Sequence, residues 1–528
     1  MSTNTLNFSF NPCPTADEFK LAWTANVQQA HQALESLEKP LDLNKVKQYV
    51  QSLAEFDEIC SRFDLAGRTW TPYHPEAGMR EESTRARDAF AAVLAAVESS
   101  SAIADNLAKA EASVVISEPD CIRLLGVWKR KLTSEGAYLS VETKAQVQRL
   151  TVAIQAKANE YSRNIQNDNT KLDFTISELQ GVPQEYLKER TAQSTSDGIS
   201  IFLQYFQVDK VFPALRSIVQ SMFGLRFEEI VGSEGWHPSV TSFRVFDTTG
   251  GDDKLIGRIF FDLFSRDGKQ DGIWATTIRK PISNSQLGEV IVAASLSNAP
   301  GARMSFEQVK DGFRPFGHCV HVLLAASSFA RFSGLADIEH DFVGTSSQLL
   351  RHWMQDPQLF DFATNKDGDR ISKTDLAILL KAEEIGQATE RRRWMVDCQI
   401  SLHIASKSQL SDVSALVGFL CKKYGKLDLP GDIHPHHGLV AVVNGFRGSR
   451  LYGRLLSEVI ACDIYQEFRR PGDVDLARYR KSILEKGSSQ DAKDMLRSLL
   501  GREYDFRAFG DWLHFTTEWY EARTEITK

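Results

Sequence analysis

Apolar residues recur at helical spacing along residues 15–190, with charged and amide residues between them. The stretch 140–169 shows the pattern: Val141, Val147, Leu150, Ile154 and Ala158 fall on one side of a 3.6-residue period. Residues 170–178 (TKLDFTISE) alternate polar and apolar positions and predict a short extended piece. A turn near 194–203 leads into a helix over 208–224. The pattern then changes. Residues 242–247 and 256–264 (IGRIFFDLF) are rich in Phe, Ile and Val and predict strands, with a turn at 266–269. Residues 289–297 (EVIVAASLS) predict another strand. From Phe306 onward the period is helical again, interrupted near 428–431 and 445–453. The class this predicts is mainly α with a small sheet in the middle, without internal repeats.

Composition narrows the partners. The 528 residues carry 62 basic and 69 acidic side chains, a net charge of −7, which argues against nucleic acid and against an anionic membrane surface. Seven scattered cysteines lack CxxC spacing, so neither a disulfide framework nor a zinc knuckle is expected. The start is polar and no apolar run reaches spanning length, which predicts a cytoplasmic protein. Asn365-Lys366-Asp367-Gly368-Asp369 hints at a calcium loop. With Gly368 as its sixth position, Ala363 and Thr374 would stand at its first and twelfth, where carboxylates are needed, so a solvated turn is expected.

Residues 313–360 (FRPFGHCVHVLLAASSFARFSGLADIEHDFVGTSSQLLRHWMQDPQLF) carry the most telling pattern. They resemble the active-site region of the thimet oligopeptidase/neurolysin family of zinc oligopeptidases, where HEFGHALH is followed by FSGT and DFVEAPSQMLENW. Residues 452–458 (YGRLLSE) resemble that family's YGYLWSE, and 261–269 (FDLFSRDGK) resemble its LDLYPREGK. Residues 479–502 resemble its closing segment. The resemblance implies a zincin-like oligopeptidase fold of two helical lobes around a channel, with a small sheet. A block of helices that precedes the sheet in the family is expected to be missing near 197–204. The resulting division is an N-terminal helical region, 1–205, and a degenerate peptidase-like region, 206–528.

The family's chemistry needs two histidines at i and i+4 on one helix face to bind zinc, with a glutamate to activate the bound water. Carried over by the resemblance, the first histidine position is Arg314, the glutamate is Pro315, the second histidine is His318, and the third ligand falls at Gly344. No metal and no other cofactor is therefore expected. Proline lacks an N–H and clashes with the preceding turn, so the helix is expected to restart with Pro315 in its first turn. The family's carbonyl-polarising histidine and tyrosines fall at Val442, Arg447, Leu451 and Arg454, or at Ala441 and Phe446 one residue out of step. Tyr452 alone keeps a family tyrosine.

His318, His321, His340, Asp341 and His352 lie near one another in the chain, yet lack an evident metal-ligand pattern. Cys319 adjoins His318, but neighbours on a helix point about 100° apart, so a buried core thiol is expected. The gain of Arg314, Arg447 and Arg454 suggests an anion-binding channel, because a guanidinium presents a fixed fork of donors. On this reading His318, Tyr452, Arg314 and Arg447 carry any catalysis, and His321, His352, Arg454 and Phe446 contact the ligand. That ligand is a small molecule, cyclised or isomerised without metal; the alternatives are a chain that binds a short peptide in the central channel, or a partner protein, without turnover, and, least expected, a residual metallopeptidase. A peptide is also expected to be able to add along residues 289–297, which resemble the family's peptide-binding edge.

Overall fold

The computed structural model describes residues 15–70, 74–113, 115–167, 200–232, 235–335, 337–384, 387–406, 412–429, 433–439, 450–469 and 475–513. The expected extended piece at 170–178 and most of the turn near 194–203 lie outside them. Six helices come first: α1 (Ala16–Glu38), α2 (Val46–Trp70), α3 (Ala77–Ser99), α4 (Ser101–Glu111), α5 (Pro119–Ser134) and α6 (Val141–Asn167). A helical turn at Ser200–Leu203 and α7 (Val208–Phe223) lead to strands β1 (Leu225–Glu229), β2 (Thr241–Asp247), β3 (Lys254–Phe264), β4 (Ile273–Arg279) and β5 (Gly288–Leu296). Helices α8 (Phe306–Leu324), α9 (Thr345–Trp353), α10 (Lys373–Glu384), α11 (Gln387–Ser406) and α12 (Val413–Leu420) follow. The last are α13 (Tyr452–Phe468), α14 (Leu476–Ser482), α15 (Ala492–Leu500) and α16 (Arg507–Trp512). The class is mainly α with one small sheet, as the pattern predicts.

The chain divides into two compact units built from interleaved segments. The first comprises Met1–Lys144, Val208–Glu339 and Arg470–Glu503; the second comprises Ala145–Gln207, His340–Arg469 and Tyr504–Lys528.

In the first unit the strand order is β1-β2-β3-β5-β4, with β3 and β5 parallel and the other pairs antiparallel. Nearly every residue of β5 is buried, as a strand covered on both faces requires. Because β5 is hydrogen-bonded to β3 on one side and β4 on the other, residues 289–297 cannot take an added peptide strand. That expectation is corrected: the outer strand on this side is β4. Phe19, Trp70 and Phe90 from α1–α3 share a core with Phe260, Ile278 and Ile291 of the sheet.

The turn after β3 is fastened from inside. The Lys269 ammonium reaches Asp262 Oδ1 at 2.8 Å and the carbonyls of Phe264 and Ala294 at 2.9 and 2.6 Å. Arg266 and the Trp236 indole also bond the Asp262 carboxylate. A buried carboxylate met by two cations and an N–H is satisfied, which is what its position demands.

In the second unit, α9 and α16 both pack on α13. Arg391 of α11 meets the buried Glu458 of α13 through two nitrogens, at 3.2 and 2.5 Å. The turn at 365–369 is exposed, and the Asn365 side chain closes it by accepting from the N–H groups of Asp367 and Asp369. A solvated turn is therefore the outcome there.

Candidate functional site

Helix α8 begins with a capping box: Ser305 accepts from the Gln308 N–H, and Gln308 returns a bond to the Ser305 N–H. It then runs unbroken to Leu324, with Pro315 in its interior. The expected restart at Pro315 does not occur. Proline removes one helical hydrogen bond, at a cost of about 3 kcal/mol. Fourteen of the helix's residues are buried, Phe306, Phe313 and Phe316 among them, and that packing holds the helix through the defect.

Arg314 and His318 stand one turn apart on α8. The Arg314 guanidinium lies 3.5 Å from Asp311, a weak contact, and is partly exposed. His318 faces a cavity of about 180 Å³ walled by Ala275, Thr276 and Thr277 of β4, Val290 of β5, and Val322 and Leu335. The His318 Nδ1 is buried and makes no hydrogen bond among the described residues. Burial, followed by the charge of Arg314, lowers the His318 pKa to about 4, so the ring is neutral at pH 7. His321, a turn further on, is buried, and its pKa falls to about 3 for the same first reason, with His318 adding to it. Cys319 also borders this cavity, its thiol 3.7 Å from the Ile291 carbonyl, and burial pushes its pKa up. It is the inert core thiol the helix geometry predicts.

The remaining candidates belong to the second unit. Gly344 caps the start of α9. A Cβ built there would stand 3.0 Å from Ser457 Oγ and 3.1 Å from Ser457 Cβ. Ser457 is itself held by donating to the Asp341 carbonyl at 2.9 Å. His352 is buried, its Nε2 3.1 Å from the Cys462 thiol and its ring edge-on to Trp512. Tyr452 opens α13 and is exposed. Arg454 is also exposed, its guanidinium 3.9 Å above the Trp394 ring. Arg447 and Phe446 lie outside the described residues, as do Val442 and Ala441. Arg314, His318 and His321 thus share one helix of the first unit, whereas Tyr452, Arg454 and His352 share the second.

The sequence reading passed over one cluster. His434, His436 and His437 sit on a turn of the second unit with ring centres 5.7, 5.0 and 4.5 Å apart. The signal was present as three histidines in four positions. Burial, then His437 and His434, lower the His436 pKa, while Asp412 pulls it up. Among the described residues no group of three His, Cys, Asp or Glu side chains stands arranged around a metal.

Comparison with known proteins gives these parts a common frame. A model of peptidase family M3 matches residues 129–513. The chain is 28% identical over 327 residues to a probable thimet oligopeptidase of Arabidopsis thaliana, covering 58% of this chain and 44% of that protein. It is 23% identical over 351 residues to oligopeptidase A of Escherichia coli (strain K12), covering 63% and 51%. The chain spans about half the length of the curated relatives it matches. Among solved structures, Trypanosoma cruzi metallocarboxypeptidase 1 aligns with a TM-score of 0.55 at 13% identity, over 89% of this chain and 98% of that one. A Pyrococcus furiosus carboxypeptidase aligns with a TM-score of 0.54 at 10% identity, over 90% and 99%. Identities that low speak to the fold alone.

Proposed function

The chain belongs to peptidase family M3, and we propose that it is a member without zinc-dependent hydrolysis, whose former active site serves as a metal-free pocket for a small molecule. The observation that carries this reading is the donor set. Where a zinc site needs two histidines and a carboxylate, the corresponding positions hold Arg314, His318 and Gly344, and the water-activating position holds Pro315. One nitrogen ligand is left, with a guanidinium one turn away that would repel a dication. A metal-bound histidine almost always donates its other ring N–H to a partner, and the His318 Nδ1 makes no hydrogen bond among the described residues. At Gly344 a ligand side chain would press on Ser457, whose Oγ stands 3.0 Å from the Cβ position. These residues do not fit zinc, so no step is routed through it.

What they offer instead is a neutral imidazole beside a cavity whose other walls are uncharged. A cavity of about 150 Å³ admits a benzene-sized group, so this one matches a single ring. His318 would accept or return a proton there, and the charge of Arg314, one turn away on α8 and outside the cavity's lining, would favour negative charge on the ligand. Such a pair suits a cyclisation or isomerisation. Tyr452, Arg447, Arg454, Phe446, His321 and His352 enter this reading through the family resemblance. A cytoplasmic setting is part of the proposal, and no helix among the described residues is long and apolar enough to cross a membrane. A second reading, peptide binding without turnover, draws on β4, which is paired only with β5 among the described strands.

The test joins a hydrolysis assay to a ligand screen. With added zinc, the protein is expected to leave quenched fluorescent peptides uncut. Small uncharged ring compounds are expected to raise its melting temperature, and His318→Ala to abolish that rise. Chelator-sensitive cleavage lost in His318→Ala would sink the proposal. A melting shift given by short peptides alone would favour the second reading.

A further inference from the structure

The last turn of α8 borders a second cavity. It holds about 340 Å³, lies wholly within the first unit and shares no lining residue with the cavity beside His318. The strand register opens it. β5 begins at Gly288, opposite Gly257 of β3, so residues 254–256 of β3 run past its end. The link from β4 to β5 folds back beside the gap and is held there. The Ile282 N–H bonds the Gln286 carbonyl at 2.8 Å, and the Ser283 N–H bonds the Ser327 carbonyl at 2.9 Å. The Ser283 hydroxyl donates to the Ala326 carbonyl at 2.8 Å. Hydrogen-bonded backbone therefore fixes that wall.

Ile282, Leu287, Leu323 and Leu324 are buried and give the cavity an apolar interior. Four charged side chains also line it, and two of them are already engaged. Arg480 is buried, with Nη1 donating to the Phe223 carbonyl at 2.6 Å, Nη2 to Asp247, and Nε to Glu485 Oε1 at 2.7 Å. Asp247 accepts in addition from the Thr249 N–H and hydroxyl, at 3.0 and 2.8 Å. The other two keep capacity. Lys254 is exposed and makes no ion pair among the described residues, although it stands opposite Asp247 in the strand register. Glu485 is 38% exposed and accepts through Oε1 alone among the described residues. A cation and an anion with unspent capacity, next to an apolar interior, favour a ligand that carries both charges and an apolar body; a ligand with one charge would answer only one of them. The volume falls within the range of small-molecule sites, about 300–1,000 Å³. It is roughly twice that of a cavity that admits benzene, which leaves room for a ring and an amino-acid backbone.

We propose that this cavity binds a free α-amino acid with a large apolar side chain, its carboxylate toward Lys254 and its ammonium toward Glu485. The site is independent of His318, and the uncharged ring compounds suited to the His318 cavity lack both of the charges it recognises.

The experiment is calorimetric titration of the full chain with phenylalanine. Saturable binding of about one molecule per chain is expected. N-acetylphenylalanine, which lacks the ammonium, and phenylalaninamide, which lacks the carboxylate, should each bind at least about tenfold more weakly. In Lys254→Gln the amide and the free amino acid should bind alike. In Glu485→Gln the acetylated and free forms should bind alike. Both positions are exposed, and unchanged melting without ligand shows that the variants fold. His318→Ala should bind phenylalanine as the parent does. Absence of saturable binding up to about 10 mM overturns the proposal, as does full affinity kept in both charge variants. Tighter binding of leucyl-phenylalanine than of phenylalanine assigns the cavity to peptides and overturns it too. Phenylalanine binding lost in His318→Ala places the amino acid in the other cavity and is equally fatal. Chelator-sensitive peptide cleavage, by contrast, would sink the metal-free reading and leave this site standing.

Discussion

At Gly344 the chain turns into α9 with tight space for a side chain, because Ser457 Oγ lies 3.0 Å from where a Cβ would stand and would have to give way by a few tenths of an ångström. Its backbone is unstrained, with φ −80° and ψ −11°, so the limit there is packing alone. Gly344→Glu is expected to cost about 1–3 kcal/mol in chemical denaturation, and Ser457→Gly in the same chain to recover most of it. His318 and His321 bear on acid stability. Both pKa values are lowered in the folded chain, so between about pH 6.5 and 4 the unfolded chain binds protons that the folded chain refuses. Stability should therefore fall as pH drops through that window, by about 1.4 kcal/mol per pH unit for each histidine, and level off below about pH 3. Denaturation of the His318→Gln/His321→Gln variant at about pH 7 and 5 should show a flatter dependence; an unchanged slope would count against neutral buried rings. Arg314, Pro315, His318 and Gly344 were legible as candidates because residues 313–360 resemble the family's active-site segment, which assigns each a position. Ser457 was not, since it reaches Gly344 across more than a hundred residues, and the contact of His352 with Cys462 was hidden for the same reason.

Helix α8 shows where local rules stop. The helical period from Phe306 onward places the helix from sequence alone, yet the rule for proline predicts a break that is absent. The rule counts one lost hydrogen bond, whereas the helix is buried on nearly every side and would expose far more than one bond by breaking. Pro315→Ala restores the missing donor and is expected to stabilise the protein by about 1–2 kcal/mol, less than the full helical penalty because alanine frees the unfolded chain. A melting temperature that falls instead would show that the proline ring itself fills needed space. The sheet gives a parallel lesson. The apolar run of β5 already reads as a strand buried on both faces, but the likeness to a peptide-binding edge pointed to its rim. Pattern reports burial; only pairing reports neighbours. Two strands escaped the pattern altogether. β1 (LRFEE) is short and charged, and β4 (IWATTIR) is half-buried nearly throughout and so shows little contrast.

For the chain as a whole, order in sequence and order in space diverge. Helices α1–α3 form one core with the sheet, although the break between 205 and 206 separates them in the two-region reading. Phe19, Trp70 and Phe90 would leave Phe260 and Ile291 bare if the chain were divided there. Residues 206–528 expressed alone are therefore expected to be unfolded or aggregated, and co-expression with 1–205 to recover soluble material, judged by circular dichroism and gel filtration. A well-folded 206–528 with a sharp melting transition would show instead that the sheet stands without those helices. Composition and periodicity foretold a mainly helical protein with a small sheet. The interleaving of the two units was beyond them, because it depends on which surfaces meet.

The strand order has a consequence for how the protein is made. β5 lies between β3 and β4 but is the last of the three to be translated. The β3 edge carrying Ile259, Phe260 and Phe261 must stay open while residues 265–296 are added, a few seconds at about 5–20 residues per second. Until then β4 has emerged but has no strand to join. The ribosome thus releases one strand with an open apolar edge and one strand with no partner before the strand that unites them, and the cell's yield of this protein depends on how well that interval is guarded.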